Sequence, residues 1–235
     1  MAEVRKQKAS WPKQLANFTN STAGLDLTLR LLHSLVIIGA EISTDKQTIA
    51  MNSMANMQIN LGRRYLRFFC FLDCFHSAYQ IFTTQGKALG TIAALMDLVE
   101  ATCLGLYLVI ENSTMLHDLQ IWQVSWYNPV LVEANKFWFY AIAASIIRTL
   151  ALLLFSPSKT KATTGGQGKK KRPEAQPAST GPSASQLLRK LSADVIDLAL
   201  PASFIGWVAV SDLTIGYGML VSTILVWPDM WAKYQ

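Results

Sequence analysis

The sequence predicts an all-α, membrane-associated helical protein with N-terminal amphipathic helices, a transmembrane helical hairpin and a C-terminal membrane segment. Three observations carry that prediction. Of 235 residues, 51% are hydrophobic and only 15% are charged, against about 25% charged in an ordinary soluble domain. Two apolar stretches approach the roughly 20 residues a helix needs to cross a bilayer. No strand-like alternation of any length occurs, nor any internal repeat.

The charge is unevenly placed. Nine of the 21 Lys and Arg residues fall in Met1–Arg67 and eight in Ser156–Lys190, within a net charge of +6. Two basic regions separated by apolar ones fit positive-inside loops better than a nucleic-acid face. No helix-turn-helix, RNP-type or zinc-finger spacing is present, so no nucleic acid partner is expected. Cys70, Cys74 and Cys103 are too few for a disulfide framework, and Cys70 with Cys74 lacks a second ligand pair for a metal. The start, "MAEVRKQKASWPKQ", has no apolar core of the kind a cleavable signal peptide requires. The Asn-x-Ser/Thr triplets at Asn17, Asn20 and Asn112 then read as chance rather than glycan sites.

Four regions follow in order: an amphipathic-helical interfacial region at 1–87, a membrane helical hairpin at 88–155, a disordered basic linker at 156–185, and a C-terminal helix with a membrane segment at 186–235. The first region has no long apolar run. Its first helix opens near Ser21–Gly24, with Ser21 or Thr22 as cap, and repeats Leu25, Leu29, Leu32 and Val36 at helical spacing. His33 lies within this leucine-rich run and reads as a structural residue.

The stretch "LGRRYLRFFCFLDCFHSAYQ" is the most informative. On a helical wheel at about 100° per residue, Leu61, Tyr65, Phe68, Leu72, Phe75, Tyr79 and Phe82 form one stripe. Arg63 and Arg67 lie opposite, and Arg64 sits at the border, where a long side chain can snorkel. A solvated face of a helical bundle could carry such arginines. The ring content and the single acid, Asp73, favour instead a helix at a membrane interface. Its lipid-binding residues would be Arg63, Arg64 and Arg67 on anionic phospholipid headgroups, with Tyr65, Phe68, Leu72, Phe75 and Tyr79 among acyl chains. Wedged into one leaflet, such a helix bends the membrane.

The hairpin consists of Ala88–Ile110 and Phe137–Phe155. A midplane charge costs about 2.5–3.5 kcal/mol to insert, so Asp97, Glu100 and Arg148 need partners. Counting from the midpoints Val99 and Ile146, an antiparallel pair sets Arg148 level with Asp97, with Glu100 one turn away. These three form the expected intramembrane charge pair and its neighbour. The connection Glu111–Lys136 is acidic while both flanks are basic, so it is expected on the lumenal side with Met1–Lys87 and the linker in the cytosol. Pro201–Trp227 is long enough to span but has Asp212 at its centre; a kinked span and a membrane-dipping hairpin fit equally well.

Several segments together resemble the peroxisomal biogenesis factor 11 family. "NSTAGLDLTLRLLHSL" is similar to the family's N-terminal helix through Ala23, Gly24, Arg30, Leu31 and Leu32. Arg63, Leu66, Arg67 and Phe68 match its Arg-x-x-Leu-Arg-Phe amphipathic helix. Asp194, Asp197, Gly206, Trp207 and Trp231 match its C-terminal segment. Leu25 and Leu27 stand where the family often has basic residues, which marks a divergent member. The resemblance implies an integral peroxisomal membrane protein that curves and elongates the membrane before fission. It further implies self-association as a homo-oligomer and cooperation with a dynamin-type fission machinery. The alternative from another class is a solute channel lined by Asp97, Glu100 and Arg148. His33, His76 and His117 show no metal-ligand spacing, and no nucleophile–base set or phosphate loop is visible, so no enzyme activity and no cofactor are expected.

Overall fold

The computed structural model of the chain describes residues 10–85, 92–155 and 183–233. Of these described residues, 87% are helical and none are in strands, which places the protein in the all-α class. Ten helices follow one another among them: α1 (Trp11–Asn20), α2 (Thr22–Ile42), α3 (Lys46–Leu66), α4 (Cys70–Gln85), α5 (Ile92–Ser113), α6 (Met115–Asp118), α7 (Tyr127–Phe155), α8 (Ala184–Asp197), α9 (Ala199–Ile205) and α10 (Asp212–Lys233). The expected linker lies outside the described residues as far as residue 182, as do residues 86–91 at the start of the hairpin.

Local chemistry sets many of the helix ends. Pro12 occupies the first turn of α1, where a missing N–H costs nothing. The Ser21 hydroxyl accepts from the Gly24 N–H at 3.1 Å and starts α2. Asp45 caps α3 by accepting from the Thr48 N–H at 2.9 Å. Ser183 and Gln186 form a reciprocal capping box at α8. At the other end of α9, Gly206 takes φ of +86° and ends the helix in the left-handed region, which a side chain would disfavour.

The helices pack in a circuit in which α3 meets α2, then α10, α8, α7, α5 and α4, and the α3–α4 bend closes it. The pairing of α2 with α3 is antiparallel, with Asp26 facing Arg63 and His33 facing Asn56. Likewise α4 and α5 run antiparallel: Phe68 lies beside Asn112, and Phe75 covers Gly105. A Cβ on Gly105 would stand 2.8 Å from the Phe75 ring, so the absent side chain is what lets α4 approach. Between α5 and α7, the Tyr107 ring stacks on Trp138 at 5.4 Å, with Leu108 and Ala134 completing a small core. Phe18 of α1 is fully buried between Trp227 and Trp231 of α10, at centroid distances of 5.0 and 5.2 Å. That contact ties the two ends of the described chain together.

Three expectations change. Among the described residues, four helices are long and apolar enough to cross a membrane: α2, α5, α7 as far as Leu154, and α10. The expectation that 1–87 holds no long apolar helix therefore fails at α2, whose polar residues Asp26, Arg30 and His33 are spread thinly through an otherwise apolar run. Pro201–Trp227 is not one segment. It divides between the end of α9, a connection from Gly206 to Ser211, and α10, so Asp212 opens a helix rather than sitting mid-span. The connection between the hairpin helices is also shorter than Glu111–Lys136, because α5 runs on to Ser113 and α7 begins at Tyr127.

Candidate functional site

The expected continuous helix Leu61–Phe82 is two helices. α3 ends at Leu66, the chain turns through Arg67–Phe69, and α4 begins at Cys70. This bend changes where the arginines go. Arg63 and Arg64 are only 8% and 4% exposed, so they do not face outward as the wheel indicated.

Their partners come from elsewhere in the chain. The Arg63 Nε donates to Asp26 Oδ1 at 3.0 Å. Arg64 meets the Asp118 carboxylate and the Glu111 carbonyl, and donates to Thr114 Oγ1 at 2.8 Å. Arg67 lies 3.9 Å from Asp26 Oδ1 and 4.0 Å from Glu111 Oε2. Burial pulls the Arg63 pKa down, and the neighbouring Asp26 charge opposes it. Guanidinium groups this deep need anions nearby, and Asp26, Glu111 and Asp118 supply them. The acidic connection on which the lumenal expectation rested is thus partly spent on these pairs.

The rings do face outward. Phe69 and Tyr79 are 68% and 67% exposed, and Tyr65, Leu72, Phe75 and Phe82 are exposed beside them. Phe68 is half-buried and meets Phe69 edge-on at 5.0 Å. The opposite face of α4, through Cys70, Phe71 and Cys74, packs on the Tyr107–Leu108–Ala134 core. All three cysteines are free thiols, and burial pushes the thiols of Cys70 and Cys74 up. So α4 has an apolar face packed on α5 and an exposed face on which the apolar row runs beside Asp73, His76, Ser77 and Gln80.

This packing also bears on topology. The Asn112 amide donates to the Phe68 carbonyl at 2.7 Å, and Arg64 pairs with Asp118, so the α3–α4 bend and the α5–α7 connection share one end of the bundle. They cannot lie on opposite sides of a bilayer in this arrangement. The expectation of a cytosolic 1–87 and a lumenal connection does not describe this packed state.

A second polar group lies where α5, α7 and α8 meet. Arg148 pairs with Asp97. Glu100 stands apart from that pair, 4.0 Å from the Lys190 Nζ. Lys190 also donates to Asp194 Oδ2 at 2.8 Å, and the Ser145 hydroxyl donates to the same oxygen at 2.6 Å. The sequence reading missed Lys190 as Glu100's neighbour. The i, i+4 spacing of Lys190 and Asp194 was visible, but not the packing of α8 on α7 that lets the Lys190 side chain reach Glu100. A third group joins α2, α8 and α10: Arg30 reaches Asp197 at 2.5 Å and Ser222 at 2.9 Å. A central cavity of about 770 Å³ is bounded by Asp26, Arg30, Glu100, Glu111, Lys190 and Asp194, whereas Asp97 and Arg148, expected beside Glu100 on a solute path, do not line it.

Neither a curated protein nor a solved structure gives a significant match to the chain. The family model described as peroxisomal biogenesis factor 11 matches residues 13–231, which takes in the α3–α4 bend, its acidic partners and all three polar groups. The chain therefore belongs to the PEX11 family, which makes it a peroxisome biogenesis factor associated with the peroxisomal membrane.

Proposed function

We propose that the protein is an integral peroxisomal membrane protein that curves and elongates the membrane by setting the apolar face of α4 into the cytosolic leaflet, promoting fission and proliferation. The observation that carries this reading is the exposed row Phe69, Leu72, Phe75, Tyr79 and Phe82. A large apolar side chain gains about 1.5–3 kcal/mol on full burial, whereas a basic residue near an anionic surface contributes about 1 kcal/mol. The rings therefore dominate affinity; the arginines, held in internal pairs in the packed fold, select the headgroup only once released from them. Hydrophobic area added to one leaflet only makes that leaflet the convex one. On this reading copies of the chain self-associate along the curved membrane and present it to a dynamin-type fission machinery.

The test uses the full-length chain in vesicles containing anionic phospholipid. Leu72→Ser, Tyr79→Ser and Phe82→Ser together remove exposed apolar area without touching the core. The triple variant should keep its helicity and lose vesicle tubulation. Tubulation at wild-type strength would remove α4 from the mechanism.

A second reading, solute passage, draws on the central cavity, whose charged lining is unusual among helices able to cross a membrane. Most of that lining is taken up by internal ion pairs, which favours a structural role. Solute flux through reconstituted vesicles that survives loss of tubulation in the triple variant would support passage as a separate activity.

A further inference from the structure

We infer that the Arg67–Phe69 bend is a latch, opened when anionic lipid phosphates replace Asp26, Glu111 and Asp118 as partners of Arg63, Arg64 and Arg67, so that α3 and α4 join into one membrane-lying helix. This rests on the reading of α4 as the membrane-bending element.

The bend has no local cause. Residues Tyr65 to Cys70 contain neither Gly nor Pro, the residues that ordinarily break a helix. Gly62 lies a full turn earlier, inside α3. What holds the bend is tertiary. Asn112 takes the Phe68 carbonyl, which a continuous helix would use internally, and the three arginines are drawn towards α2, α5 and α6. The bend's own backbone bonds are short-range turns, Phe68 N–H to the Tyr65 carbonyl at 3.2 Å and Cys70 N–H to the Arg67 carbonyl at 2.9 Å, which a straight helix exchanges for its regular bonds, so the distant partners decide between the two forms.

Those partners are replaceable. The Arg64 Nε and Glu111 Oε2 atoms are buried with no hydrogen bond between the described residues. Burying charges costs free energy that imperfect pairs recover only in part. A phosphate oxygen pair offers a guanidinium the same two-point geometry as a carboxylate, at a surface where water still reaches it. Straightened, Leu61–Phe82 regains the wheel of the sequence, with Tyr65, Phe68, Leu72, Phe75, Tyr79 and Phe82 on one face and Arg63 and Arg67 opposite. Straightening also lifts α4 off α5, so that it no longer has to lie beside the α5–α7 connection. The latched state keeps the arginines out of reach of lipid until an anionic surface is present.

The experiment measures a distance across the bend in the full-length chain. Spin labels are placed at Asn60→Cys and Gln80→Cys, both outside the apolar row, after Cys70, Cys74 and Cys103 are replaced by Ala. In a straight helix these positions are about 30 Å apart, at about 1.5 Å of rise per residue. Phosphatidylcholine vesicles should give a shorter separation. Adding phosphatidylserine should move the population to the straight-helix value, while inorganic phosphate without vesicles should not. Binding to anionic vesicles at an unchanged distance overturns the latch, and straightening by phosphate alone overturns lipid as its trigger. Asp26→Asn with Glu111→Gln should raise vesicle binding several-fold; if that variant does not fold, the label distances still decide. Straightening without tubulation keeps the latch and refutes the bending function, whereas tubulation at fixed distance refutes only the latch.

Discussion

Arg64 and Asp118 stand 54 positions apart in the chain, and their ion pair fastens the end of α3 to the connection between α5 and α7. The guanidinium also serves Glu111 and Thr114, so one side chain satisfies three separate acceptors at the base of the hairpin. This places Arg64 among the residues that hold the fold, although its sequence context suggests a surface charge.

Arg64→Ala should therefore destabilise the protein by about 3–5 kcal/mol, the range for removing one member of a buried pair. Thermal unfolding in detergent micelles measures this directly. An unchanged Tm would mean that Arg64 faces solvent or lipid.

The pair Asp97–Arg148 allows a cleaner separation of terms. Arg148→Leu leaves a carboxylate without its main partner in an apolar setting and should cost a few kcal/mol. Asp97→Leu combined with Arg148→Leu removes both charges and should recover much of the loss. A double-mutant cycle on cellular protein level reads the coupling. Strictly additive losses would show that the two side chains do not depend on each other.

Gly105→Val tests the seat of α4. Its side chain would meet the Phe75 ring and push α4 away from α5, at about 1–3 kcal/mol. The thiols of Cys70 and Cys74 report the movement. Burial disfavours the thiolate and raises both pKa values, so in the wild type the reactive form develops at higher pH than for an exposed cysteine. With α4 displaced, that rise diminishes, and alkylation at mildly alkaline pH should be faster. Equal alkylation rates in the two proteins would count against α4 packing on α5 through Gly105.

The placement of α2 is the fourth prediction. Arg5, Lys6, Lys8 and Lys13 precede this helix, and Lys46 is the basic residue close behind it. A charge rule that keeps basic loops in the cytosol then leaves α2 on the cytosolic side without crossing, despite its length. Single cysteines at Ser10 and Thr44 should both react with an impermeant maleimide in intact organelles. Protection of Thr44→Cys alone would make α2 a true span.

Much of the architecture could be read from local chemistry. The helical class follows from composition, the start of α2 from Ser21 and Gly24, and the outward face of α4 from the spacing of Leu72, Phe75, Tyr79 and Phe82. The bend at Arg67–Phe69 could not be read, because nothing within a turn of it disfavours a helix. It is written in Asp26, Asn112 and Asp118, which a helical wheel never sees. For the same reason the wheel set Leu72, Phe75, Tyr79 and Phe82 on the outward row but left out Phe69, included the half-buried Phe68, and turned Arg63 and Arg64 outward, where the structure buries them. Lys190 escaped notice because its relation to Glu100 exists only once α8 has folded back across α7.

Asn112 gives the bend one more consequence. Its side-chain nitrogen, which donates to the Phe68 carbonyl, is the atom to which an N-linked sugar would be joined in the triplet Asn112-Ser113-Thr114. A glycosylated amide keeps one N–H, so a sugar here would oppose a docked α4 by its bulk beside Phe68 and not by removing the donor. A chain that met a glycosylating compartment before α4 had seated would carry a permanent obstruction at the point where the bend forms. The bend that holds the three arginines thus also covers the triplet.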